Sequence, residues 1–205
     1  MPLAPPCYDP VATTLAAYDG AADFYTARWD AYVPAPGALD LVELLTSQLP
    51  AGARILDVGC GSGRDLRRMR QAGFDATGLD ASIELAARAR RFGPVVVADA
   101  RKLPFDDHTF DAVLASASLL HLPYADVGEA IGHIARVLRV DGLLTVSVKA
   151  GSGTFTDADG RFFQLYDDDM LDQLLADAGF LCASAYTDTS DTRTGTVWLV
   201  RDAVR

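Results

Sequence analysis

Apolar positions along this chain change their period near residue 54. Before that point Leu15, Tyr18, Ala22, Tyr25 and Trp29 recur three or four residues apart, which predicts an amphipathic helix or two over residues 11–32 with an aromatic stripe. Pro34 and Pro36 interrupt the pattern, and Leu41, Leu44, Leu45 and Leu49 predict another helix over residues 39–49, stopped by Pro50-Ala51-Gly52. From Arg54 onward short strand-type runs, at residues 55–58, 76–79, 95–97, 112–115 and 143–148, alternate with helical stretches at 66–72, 83–89 and 127–138. This rhythm predicts βαβ units, a doubly wound α/β fold with a parallel sheet, and helices on both faces. A long Gly-rich connection comes after the fifth strand, then a helix over residues 170–178 closed by Gly179 as a C-terminal cap. Two last strands are expected around residues 182–186 and 197–200, separated by a polar turn over 187–195.

Composition narrows the function classes. A chain of 205 residues, half of them apolar and 22% charged, is the size of one domain and can bury a core of its own. The formal charge of −10 makes a field that repels phosphate backbones and anionic membranes, so polymeric nucleic acid is an unfavourable partner. The basic cluster Arg64, Arg67, Arg68 and Arg70 is read as mostly the solvated outside of one helix, with Arg64 as the candidate exception. No run reaches the ~18 apolar residues of a membrane span, and the first residues combine neither a basic nor an apolar region, so a cytoplasmic protein is expected. Cys7, Cys60 and Cys182 are odd in number and far apart, which suggests reduced thiols rather than disulfides or a zinc site. No metal-ligand cluster is visible.

Ligands of parallel α/β sheets lie at the carboxyl ends of the strands, where the chain reverses its direction of building. The first strand runs into Asp57-Val58-Gly59-Cys60-Gly61-Ser62-Gly63 directly before a helix. Alternating glycines allow a tight turn and let a ligand lie against the backbone. The dinucleotide fingerprint would need Gly or Ala at position 64 or 66, where Arg64 and Leu66 stand, and the phosphate-loop pattern is absent too. An acid followed by alternating glycines, D-x-G-x-G-x-G, remains.

That pattern resembles motif I of the class I S-adenosylmethionine-dependent methyltransferases, and further segments are similar to that family over most of the chain. Gly78-Leu79-Asp80-Ala81-Ser82 ends the second strand with what resembles the family's ribose-binding acid; an N-cap role is the alternative for Asp80, although Ser82 competes for it. Ala98-Asp99-Ala100, after the third strand, resembles the segment whose Asp meets the adenine amino group while the next amide faces the ring. Phe110 to Leu122 resembles the family's fourth strand and the segment after it, which implies Ser116 at the cofactor and His121 facing the methyl group. Residues 136–143 are similar to the family's hairpin before the fifth strand, with Val140-Asp141 replacing Pro-Gly at a surface turn. The resemblance implies a seven-stranded sheet whose last strand is antiparallel, with residues 1–37 as an N-terminal lid on a Rossmann-like core over 38–205.

It also implies that S-adenosylmethionine is the cofactor. Asp57 then holds the loop or reaches the methionine amino group through water, the loop residues Gly59, Cys60, Gly61, Gly63 and Arg64 border the ligand, and Ala81 and Ala100 accompany the two acids. Tyr18 and Tyr25 lie in a run similar to the family's "YDxxAxxY" segment. They are candidates for facing the sulfonium through cation–π attraction, or else belong to a core stripe. Methyl transfer is an in-line displacement in which positioning does most of the work. His121 is the candidate general base, or a residue that only shapes the pocket. In the connection after the fifth strand Arg161, Phe163 and Tyr166 are candidates for the acceptor pocket. The expected activity is transfer of a methyl group to a small-molecule acceptor. The alternatives are a non-catalytic adenosylmethionine sensor or partner-binding subunit and, less well matched, an NAD(P)-dependent oxidoreductase. Acceptor and oligomeric state are not legible.

Overall fold

The computed structural model describes residues 9–31, 37–191 and 194–205. Cys7, Tyr32 and the flanking Pro34 and Pro36 lie outside them. The N-terminal pattern resolves into two helices, α1 (Pro10–Gly20) and α2 (Ala22–Asp30). The Asp9 carboxylate starts α1 by accepting from the Val11 and Ala12 amides, and Pro10 takes the first turn, where its missing N–H costs nothing. A short α3 (Leu41–Thr46) is capped in the same way by Asp40.

The alternating region builds β1 (Arg54–Val58), α4 (Arg64–Gln71), β2 (Asp75–Asp80), α5 (Ile83–Ala89) and β3 (Val95–Val97). It continues with β4 (Phe110–Ser116), α6 (Tyr124–Val137) and β5 (Leu138–Lys149). A hairpin of β6 (Thr154–Thr156) and β7 (Phe162–Gln164) leads to α7 (Asp168–Asp177), β8 (Leu181–Asp191) and β9 (Thr196–Val204). The main sheet has seven strands in the order β3-β2-β1-β4-β5-β9-β8; its first five are parallel, and β9 runs antiparallel to both neighbours. The chain builds outward from β1 to β3, then returns to start again at β4. The carboxyl ends of β1 and β4 therefore flank the crevice where such sheets bind ligands.

Both faces of the sheet are buried, which is why its central strands read as unbroken apolar runs. Leu56, Val58, Val113 and Val146 pack on one side with Ile131 and Ile134 of α6 and Leu171 and Leu175 of α7. Ile55, Ala112 and Leu114 pack on the other with Leu45 of α3 and Leu66 and Met69 of α4. The N-terminal helices pack on this body through apolar contacts: Val11 enters the first cluster, and Ala22 and Tyr25 pack with Leu85 of α5.

Three expectations need correction. The Gly-rich connection after β5 is in part a hairpin: Thr154, Phe155, Phe162 and Phe163 have strand-forming side chains, and the Asp157 carboxylate organises the turn by accepting from the Asp159 and Arg161 amides. The Phe162 amide donates to Thr14 Oγ1 at 2.9 Å and ties this hairpin to α1. The polar stretch read as a turn from residue 187 belongs to β8 as far as Asp191. Its Thr, Ser and Asp side chains suit an edge strand that faces water. Val140-Asp141 lies within β5 at an irregularity of register rather than in a separate turn, with Asp141 at φ +61°. No described helix is long and apolar enough to cross a membrane.

Candidate active site

A cavity of about 350 Å³ opens at the carboxyl edge of the sheet. One wall is the loop between β1 and α4. The Gly59 and Cys60 amides both donate to the Leu79 carbonyl, at 2.7 and 3.0 Å, which fastens the loop to the end of β2. Gly59 has φ +74°, and a Cβ there would lie 2.3 Å from that of Ser118; Gly61 has φ +55°, and a Cβ there would lie 2.8 Å from the Trp29 ring. Both positions therefore demand glycine for conformation and for space.

Asp80 is buried at the tip of β2. Its Oδ2 accepts from the Gly61 amide at 2.7 Å and its Oδ1 from the Ser82 amide at 2.8 Å. Burial pushes its pKa up to about 6, although those two amides favour the charged form. Ser82 Oγ, not Asp80, caps α5 by accepting from the Leu85 amide. Asp57 is buried at the end of β1, and its Oδ2 has no hydrogen-bond partner. Burial and then the charge of Asp65 hold its carboxyl well above the usual range. Asp65 itself accepts from Arg64 at 3.0 and 2.7 Å.

Asp99 also lines the cavity but shares its carboxylate with Arg101, whose Nη2 lies at 2.6 Å. Burial works to raise its pKa; the hydrogen bonds and charge of Arg101 outweigh burial and keep it below the usual carboxylate range. Cys60, Ala81, Ala100 and Ser116 border the same space. Gly63 and Tyr166 do not. Gly63 packs behind the loop against Ala89 and Phe92. Tyr166 is wholly buried in the core, because its backbone bridges to Lys149 and Gly151 and turns its ring inward.

His121, in the short turn Leu119–His121 after β4, lines the same cavity. His121 Nδ1 lies 2.7 Å from the Phe162 carbonyl, which can only accept, so Nδ1 carries the proton. Nε2 is then the acceptor, and the Tyr18 hydroxyl donates to it at 2.8 Å. Burial lowers the His121 pKa to about 4, and the charges of Arg161 and Lys149 add to that direction. Tyr18 and Tyr25 both face the cavity, their centroids 4.9 Å apart. The cation over their rings is the Arg161 guanidinium, at 5.4 and 4.9 Å, anchored in turn by Asp157. Phe163 stands beside them, 5.4 Å from the same guanidinium.

Sequence reasoning assigned no site role to Trp29, Lys149 or Trp198, which all line the cavity. Trp29 was visible in the aromatic stripe, and Lys149 ends a parallel strand at the edge where the other site residues were sought. Trp198 has no such signal: it reaches this edge because β9 runs antiparallel and pairs it with Lys149.

Residues 56–146 match the family described as "Methyltransferase domain". Over those residues the chain is similar to that family's methyltransferase domain. It is 39% identical over 118 residues to 27-O-demethylrifamycin SV methyltransferase of Amycolatopsis mediterranei, covering 52% of this chain and 43% of that protein. It is 34% identical over 146 residues to methyltransferase GfsG of Streptomyces halstedii, covering 62% of this chain and 52% of the relative. The chain thus spans about half the length of the curated relatives it matches. Its fold is also that of the crystal structure of Burkholderia thailandensis 1,6-didemethyltoxoflavin-N1-methyltransferase, with a TM-score of 0.81 and 23% identity over 100% of this chain and 93% of the other. In methyltransferase terms, the family match takes in motif I, both strand-end acids and His121, and leaves out the helices and hairpin that complete the cavity.

The His121 geometry predicts its own titration. Nitrogen-15 NMR of histidine-labelled protein should show His121 neutral, protonated on Nδ1, and titrating near pH 4. A midpoint near the ordinary value, or an Nε2-protonated tautomer, would contradict the described hydrogen bonds.

Proposed function

We propose that this chain binds S-adenosylmethionine in the cavity and transfers its methyl group to a small-molecule acceptor. The observation that carries this reading is that one cavity takes in the glycine loop, Asp80 and Asp99 together with the Tyr18–His121 pair. The residues present fit the cofactor. The Asp57 oxygen without a partner suits an ammonium donor, and the two glycines, having no Cβ, let Ser118 and Trp29 close onto the loop backbone that lines the cavity. The cofactor supplies an electrophilic methyl group on a sulfonium.

In this reading Asp80 accepts hydrogen bonds from the ribose hydroxyls while its second lone pairs stay with Gly61 and Ser82. Asp99, held by Arg101, presents an oriented carboxylate to the adenine edge, with Ala100 beside it. Ser116 and the loop glycines shape the backbone wall. Tyr18, Tyr25 and Trp29 exclude water above it, so α1 and α2 act as the described part of a lid over the core. His121 Nε2, fixed by the bond from Nδ1 to Phe162, takes the acceptor's proton, directly or through the Tyr18 hydroxyl that already points at it. Arg161 and Phe163 border the acceptor.

Two outcomes test these roles. Asp80→Ala should weaken S-adenosylhomocysteine binding by about 10- to 100-fold, or about 1.4–2.8 kcal/mol, in calorimetric titration. The ionised carboxylate is the better acceptor and Asp80 loses its proton near pH 6, so wild-type affinity should rise as pH increases through that value. That component should vanish in the variant; equal affinity at all pH values would remove Asp80 from the site. His121→Asn should lower the single-turnover methyl-transfer rate ~10²-fold at nearly unchanged cofactor affinity. Because the neutral imidazole is the working form, wild-type rates should hold above pH 4 and fall below it. A loss under about threefold would leave positioning as the whole mechanism.

A further inference from the structure

Lys149 lines the cavity and has no part in the roles assigned above. Lys149 is the last residue of β5, and its ammonium lies 3.9 Å from the centroid of the Phe163 ring. Phe155 and Trp198 stand at 5.5 and 5.9 Å, and Phe155 stacks on Phe163 with centroids 4.8 Å apart. Among the described residues no carboxylate forms an ion pair with Lys149, whereas neighbouring Arg161 is matched by Asp157 at 2.5 Å. Asp191 also lines the cavity, but its Oδ2 is engaged by the Thr194 hydroxyl at 2.6 Å.

Burial weighs against the charged form of this lysine, the repulsion of Arg161 adds to it, and Asp157 and Asp191 each oppose it by less than Arg161 adds. Aromatic faces attract an ammonium but do not neutralise it. A half-buried cation with a second cation close by, in a chain of net charge −10, is a local field whose complement is an anion. Rings that line the cavity, Phe163, Trp198 and Tyr18, offer flat apolar walls to the rest of such a ligand.

We propose that Lys149, with Arg161 beside it, forms the anion-binding part of the acceptor site, and that the acceptor is a small aromatic molecule carrying a carboxylate or a comparably acidic oxygen. This rests on the methyltransferase reading for the word acceptor. The anion site itself stands on the placement of Lys149, and the test separates the two.

The probes are paired acids and amides, 2-naphthoate with 2-naphthamide and salicylate with salicylamide, titrated into protein saturated with S-adenosylhomocysteine and followed by calorimetry or saturation-transfer NMR. Each acid should bind about tenfold or more tightly than its amide. Lys149→Met should abolish that preference, Lys149→Arg should retain it, and cofactor affinity should be the same in all three proteins. Acids and amides that bind alike, acids that fail to bind, or a preference that survives Lys149→Met would each overturn the proposal. If wild-type protein takes up no S-adenosylhomocysteine, the methyltransferase reading fails separately, and the same comparison on the free protein decides the anion site alone.

Discussion

The site depends on one buried carboxylate. Asp80 ends β2 and takes a backbone amide on each oxygen, Gly61 from the glycine loop and Ser82 from the start of α5. Burying a charge without partners is costly, and these two donors, with the Leu79 carbonyl holding Gly59 and Cys60, make the arrangement self-consistent. The same bonds set the loop's shape. A loop held this way keeps its glycines at positive φ, where Ser118 and Trp29 approach too closely for any side chain. Removing the carboxylate would therefore loosen the wall of the cavity as well as remove an acceptor from it.

The cavity lining carries both signs of charge: Asp57, Asp65, Asp80, Asp99 and Asp191 with Arg28, Arg64, Lys149 and Arg161, beside a histidine kept neutral by its surroundings. Under the proposed function, the carboxylates at the glycine loop favour a cationic donor, and Lys149 with Arg161 favours an acceptor in its anionic form. The Tyr18–His121 bond joins α1 to the turn after β4 and helps to orient the imidazole.

Much of this was legible in the sequence, because a parallel sheet converts position into function. Asp57, Gly59, Asp80, Asp99, Ser116 and His121 each stand at or just after the end of a parallel strand, and the structure gathers all six at one cavity. What stayed hidden depends on contacts between distant segments. Tyr18 and His121 are 103 residues apart, and nothing local signals their bond. Trp198 enters through antiparallel pairing, Tyr166 turns inward because its backbone bridges to Lys149, and Thr187 to Asp191 look like a turn only because an edge strand tolerates polar side chains. The aromatic stripe was read correctly as helical, but its partner, the Arg161 guanidinium, comes from a hairpin that glycines disguised as loop.

The most direct test of a cofactor cavity closed by the N-terminal helices is amide hydrogen exchange with and without S-adenosylhomocysteine. Exchange should slow on binding at residues 59–63, at 80–82 and throughout α1 and α2, while the interior strands β1 and β4 stay as they were. Equal exchange in α1 and α2 in the two states, or protection confined to surfaces away from the glycine loop, would contradict the account.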